Sequence, residues 1–296
     1  MIARAPAKRS KEVLLARMNP GLFAVNFNKK PFLIEHALTD HDAFGMEALV
    51  ELSRQLPADS VVHKSGEVYS HCSSGTSLNS MSVAEATQRI QQDKSWLVLK
   101  NIEQNPVYKQ LLDECLDQIE QITCKISPGM RRREGFIVIS SPKTVSPYRI
   151  APENNFLLQV RRQQQVHMYN PMDREVLKEE AIEEFVAGAR NDLEFDCSIH
   201  GRGHWFNLEP GQGLHFPVVA PHWVENGDEI SVSFGMTFQN DESMRRQALH
   251  RFNRRLRKFG MTPSPVGVNA GRDATKYFFL NGLRKMQPWK TASQEI

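Results

Sequence analysis

From residue 136 onward the chain is a succession of short apolar runs. FIVIS, FLLQVR, QVHMY, HWFNLE, GLHFP and ISVSFGMTF follow one another, separated by Pro, Gly and Asn. Many short strands at close spacing predict a β-sandwich or barrel over about 136–240, interrupted by one helix over about 173–187. The front half is patterned differently. PFLIEHAL is a short apolar run, and Phe44, Leu49, Leu52 and Leu56 recur at helical spacing. Residues 61–80, rich in Ser and Gly, predict a loop with an edge strand. Ser82 and Glu85 form a capping-box pattern ahead of VAEATQRIQQ, and WLVLKNI (96–102) predicts a buried strand. Asn105-Pro106 supplies an N-cap and an N1 proline for a helix carrying Leu112, Leu116 and Ile119, ending near Ile122. At the end, Asp241 is the expected cap of a helix whose stripe is Met244, Ala248, Leu249, Phe252, Leu256 and Phe259, with Gly260 as its stop. The expected organisation is a mobile arm over 1–20, a domain over 21–240 with a helical front and a β core, and a helical extension over 241–296.

Composition narrows the class. The 296 residues are 40% hydrophobic and 24% charged, with a net charge of +3. These are the proportions of an ordinary globular protein, and the charge is too mild to demand a nucleic-acid partner. Cys72, Cys115, Cys124 and Cys197 form no C-x-x-C pair, which implies reduced thiols and a cytoplasmic location. The basic N-terminus is followed by no apolar h-region, and no run of about 18 apolar residues predicts a membrane span.

The segments GFIVISSPKTVSPYRIAPENNFLLQVRRQQQVHMYNPMDREVL and LEPGQGLHFPVVAPHWVENGDEISVSFGMTF carry a resemblance. Together with FNKKPFLIEHAL, WLVLKNIEQNPVYKQLL and NRRLRKFG, they resemble the bacterial cupin-like branch of the JmjC proteins. The resemblance implies a mainly β fold, the double-stranded β-helix (cupin/JmjC-like barrel), flanked by N-terminal and C-terminal helices. It also implies the chemistry of iron(II) and 2-oxoglutarate dependent oxygenases. Such a site needs two histidines and one carboxylate on one face of the metal. Histidine and carboxylate come as His-x-Asp, because alternate strand residues point the same way.

Carried over position by position, the resemblance implies that His222 matches the distal histidine. Ser146 matches the cosubstrate hydroxyl, with Tyr148 beside it, and Asn155 matches the amide. The other positions depart from the pattern. Arg149 stands where the first histidine is expected, Ala151 where the aspartate is expected, and Gln164 where a lysine would pair with 2-oxoglutarate. Arginine offers no lone pair to a metal and brings a fixed positive charge. At an effective dielectric near 20, two like charges about 4 Å apart repel by roughly 4 kcal/mol. The expected metal residue is therefore His222 alone, with Ser146, Tyr148, Arg149, Asn155 and Gln164 as ligand-binding residues and no confident catalytic residue.

Glu153 with His222 is a makeshift two-ligand alternative. His167, His200, His204 and His215 read as surface or core histidines, and His200-Gly-Arg-Gly-His204 as a turn. Two readings of Arg149 are open: a salt bridge to Glu153 or Glu225 that plugs the old iron site, or an anion-binding group. Three functions follow. One is a non-catalytic protein binding a small anionic ligand, peptide or partner through the old pocket. A second is an oxygenase with non-standard metal ligands, using Fe(II) and 2-oxoglutarate. The third is a nucleic-acid-associated regulator, suggested only by Arg131-Arg132-Arg133 and the basic tail helix. The tail stripe also suggests a homodimer through the C-terminal helices.

Overall fold

The computed structural model describes residues 14–16, 18–65, 83–92, 94–189, 193 and 195–286. Most of the expected arm, most of the Ser/Gly-rich loop, Ser82 and Cys72 lie outside the described residues.

The strands form two antiparallel sheets. The larger runs β1 (Phe32–Glu35), β8 (Gln212–Phe216), β5 (Asn154–Arg161), β10 (Ser231–Gln239), β4 (Arg131–Ser140), β3 (Ser95–Lys100) and β2 (Val61–Ser65). The smaller has β6 (Gln164–Met168) between β7 (His204–Leu208) and β9 (His222–Asn226). β5 is buried on both faces from Asn154 to Val160, which explains its nearly continuous apolar run. Phe156, Leu158 and Val160 face the helical layer of α1 (Pro20–Asn26), α2 (Met46–Gln55) and α4 (Pro106–Thr123). Leu157 turns the other way and packs with Leu214, Phe216, Val166 and Met168 between the sheets. This is the double-stranded β-helix with helical additions that the sequence suggested.

Two helix starts are instructive. Asn105 caps α4 as expected, its side chain accepting from the Val107 amide, with Pro106 first in the helix. Arg133 then ties α4 to β4 through Asp113, Asp117 and Glu120. At the tail the cap is Asn240, not Asp241: Asn240 and Ser243 exchange bonds in a capping box that opens α6 (Asp241–Lys258). Asp241 instead pairs with Arg131. Two arginines of the basic triplet are thus committed to ion pairs.

The helix expected over 173–187 starts later, as α5 (Glu179–Val186). Asn170 and Asp173 accept backbone amides two residues on, making turns that compete with helix, and Asp173 is held by Arg202. α5 docks on α6 through a buried polar seam. Glu179 meets His250, Arg174 and the Val266 amide, while Glu183 meets Arg257. Ala248 and Leu249 are buried there, whereas Phe259 at the end of the stripe is 82% exposed. α7 (Ala270–Met286) follows and packs on α6. Among the described residues no helix is long and apolar enough to cross a membrane.

Gly235 pairs with Phe136 across β10 and β4, and a Cβ on it would lie 2.0 Å from the Phe136 ring. Gly235→Ala should therefore cost about 1–3 kcal/mol by overpacking, read from the urea midpoint. Phe136→Leu in the same chain should recover part of that loss. A purely additive double variant would show that the ring is not what fills this space.

Candidate functional site

The stretch 144–151 is not a continuous strand. Pro147 and Pro152 remove two backbone donors, so it runs along β9 through separated contacts. Asn226 N–H donates to Thr144 O, and Ser146 N–H to Val224 O. Arg149 and His222 form an antiparallel bridge, exchanging both backbone bonds at 3.0 and 2.9 Å. Bridge partners share a face, so Arg149 and His222 both point into the barrel. Ala151 contributes its carbonyl to Val219 N–H.

His222 is buried, edge-on to Phe216, and its Nδ1 lies 2.9 Å from the Ala220 carbonyl. That carbonyl can only accept, so Nδ1 carries the proton and Nε2 keeps its lone pair. Burial, then the charge of Arg149, pushes the His222 pKa down to about 3. The Arg149 guanidinium lies deep within the protein, and burial lowers its pKa too. Its side chain is nonetheless exposed, because it lines a narrow cavity of about 30 Å³ that opens to solvent. Among the described residues no hydrogen bond or ion pair holds the guanidinium.

The cavity walls come from both sheets. β3 gives Trp96 and Val98, β4 gives Val138 and Ser140, β5 gives Leu157, and β10 gives Ser233. Gln164, Val224 and Asn226 close the other side, with Thr144, Ser146 and Arg149 from the irregular stretch. Ser146 Oγ accepts from Val224 N–H, leaving its proton free to donate. Ser233 Oγ donates to Gln159 Oε1 at 2.7 Å and also reaches Gln164 Oε1 at 3.2 Å. Gln164 and Asn226 also line a polar surface cleft on their outer side, with Gln165, Asn207 and Glu225.

Of the residues singled out in the sequence, Ser146, Arg149 and Gln164 thus meet at one cavity, with His222 behind Arg149. Asn155 shares the inner face of β5 with Leu157 but does not line the cavity; its carbonyl accepts from His215. Tyr148 points elsewhere, into a cluster with Tyr169 and Phe195. Glu153 bonds to Gln239 and lies near Arg251, and burial raises its pKa. Neither Glu153 nor Glu225 pairs with Arg149. His167 stacks on Trp205 at 4.2 Å, with His200 and Trp223 around it. The expected turn at 200–204 is a 3-10 helix, Cys197–Arg202, after which Gly203 passes so close that a Cβ would fall 2.3 Å from His167 Nε2. His215 is stacked among Phe27, Phe32 and Phe156. The wall residues Trp96, Thr144, Asn226 and Ser233 went unnoticed in the sequence. Gln159, polar within FLLQVR, was the one sign of a polar inner face.

Iron does not fit these residues. Among the described residues no three His, Cys, Asp or Glu side chains gather as a metal group. Around His222 stand a guanidinium and an alanine, and Gln164 offers no cation for the far carboxylate of 2-oxoglutarate.

The fold and the pocket define a double-stranded β-helix of the cupin/JmjC type. No protein-family model and no curated protein sequence matches the chain. Solved structures do. The YcfD ribosomal oxygenase of Escherichia coli in complex with cobalt and 2-oxoglutarate matches with a TM-score of 0.50 and 12% identity, covering 93% of this chain and 69% of that one. Its complex with cobalt and succinic acid matches with a TM-score of 0.49 and 11% identity, over 94% and 69%. At this identity the likeness is one of fold.

Three buried histidines make the fold acid-sensitive. Burial holds His222 and His215 at about 3 and His36 at about 4. The native state keeps them neutral while the unfolded chain takes up protons below its ordinary value near 6.5. Stability should therefore fall as pH drops from about 6.5 towards 4, by up to about 1.4 kcal/mol per pH unit for each histidine. Urea midpoints across this range measure the slope. An imidazole NMR titration in which these three rings protonate near pH 6.5 would contradict the assignment.

Proposed function

We propose that this protein binds a small anion in the barrel, with Arg149 as its anchor, and does not use the pocket for iron-dependent oxidation. The observation that carries this reading is the Arg149 guanidinium, deep in the protein, without a carboxylate partner among the described residues, and open to a cavity. A charge drawn partly out of bulk water without a counter-ion is less well solvated than one at the surface, and a bound anion offsets that cost. Arginine also suits carboxylates because its planar fork can make two parallel bonds. Support comes further from Ala151 and Gln164, which remove the aspartate and the lysine an iron and 2-oxoglutarate site would need.

Anaerobic loading with iron(II), followed by metal counting and a 2-oxoglutarate turnover assay, is the direct test. Iron far below one per chain and no turnover are expected, and stoichiometric iron with turnover would overturn the reading. In the double variant Arg149→His/Ala151→Asp, iron affinity should rise at least about tenfold, or 1.4 kcal/mol. Replacing Arg149 by Met should leave the ligand-free protein as stable as before or slightly more so, because a guanidinium that opens to solvent and has no partner among the described residues contributes little to the fold. The same variant should lose stabilisation by small carboxylates, read as the shift in melting temperature on adding them. A destabilised Arg149→Met would mean that the guanidinium is held by the fold itself.

A further inference from the structure

We infer that the pocket selects a monocarboxylate with an apolar middle and a neutral hydrogen-bonding group at its other end. The inference rests on the anion-binding reading and adds the class of ligand. Among the described residues that line the cavity Arg149 is the only charged one, and His222 beside it is neutral. The walls between are mainly apolar, formed by Trp96, Val138, Leu157 and Val224, with serine and threonine hydroxyls among them.

Gln164 and Asn226 stand directly opposite each other in register, four residues along β9 from the His222 bridge. At strand rise that is about 13 Å of backbone. Both side chains are buried, 3% and 5% exposed. Among the described residues Gln164 Nε2 and Asn226 Oδ1 have no hydrogen-bond partner. Asn226 spends its Nδ2 on the carbonyls of Ser140, Ser141 and Glu229, so its oxygen is left over. A buried polar atom without a partner is costly, and a ligand that supplies one recovers that cost. The Gln164 amide can turn over, so this end offers a donor or an acceptor but never a charge. A hydroxyl or carboxamide on the ligand answers both atoms. A second carboxylate would be desolvated there with no cation to receive it.

The test compares dicarboxylates with their monoamides, which match in shape and differ by one charge. Succinate, glutarate and adipate are titrated calorimetrically against succinamate, glutaramate and adipamate at about pH 7.5, where every carboxyl is ionised. At the best chain length the monoamide should bind at least about tenfold tighter. Equal or tighter binding of the diacid overturns this inference and leaves the anion reading standing. Failure of both series to bind overturns both. In Gln164→Lys, which supplies the absent cation, the preference should reverse towards the diacid. A folded Gln164→Lys that still prefers the monoamide also overturns the inference, and if that variant does not fold, the comparison in the unaltered chain decides.

Discussion

Two backbone hydrogen bonds between Arg149 and His222 organise the pocket. They fasten an irregular, proline-broken stretch to β9 and oblige both side chains to enter the barrel together. Everything electrostatic in the pocket follows from that pairing. Burial, and then the cation beside it, push the imidazole toward neutrality, and the Ala220 carbonyl fixes which nitrogen keeps the proton. The rest of the described lining adds apolar surface with neutral hydroxyls and amides, and no further charge.

The remaining architecture frames that pairing around the solvent-open cavity. The helical layer covers the back of the large sheet through Phe156 and Leu158, while Leu157 and Val166 fill the space between the sheets. Arg133, bound to three carboxylates of α4, joins the helical front to β4. The Glu179 and Glu183 seam joins α5 to α6, where burial opposes ionisation of Glu179 but His250, the Val266 amide and Arg174 together hold its pKa below the ordinary value. These are partly or fully buried polar connections, costly to leave half made.

Much of the fold was legible because periodicity reports burial. The strands from FIVIS to ISVSFGMTF stand where the apolar runs stand, and Asn105-Pro106 opens α4. The misplacements share one cause, competition by short polar side chains for backbone groups. Asn170 and Asp173 delay α5, and Asn240 takes the cap expected of Asp241. In the pocket, Arg149 and Gln164 could be placed because the departure from His-x-Asp and lysine is written in the sequence. That no carboxylate among the described residues pairs with Arg149 could not be read, because Glu153 is turned towards Gln239 by contacts distant in the chain. Tyr148 was misleading for a simpler reason. It neighbours Arg149 in sequence, yet it points to the opposite side of the same stretch.

The tautomer of His222 has a chemical consequence. A ring that donates through Nδ1 and presents a bare Nε2 is already in the form a metal ligand requires. The protein keeps that form for reasons of hydrogen bonding alone, since Ala220 would impose it whatever stood opposite. Arginine and histidine codons, like alanine and aspartate codons, can lie one base change apart. The anion binding proposed above and a metal site on this scaffold would therefore be neighbours in mutational terms, separated by two side chains rather than by a refolded barrel.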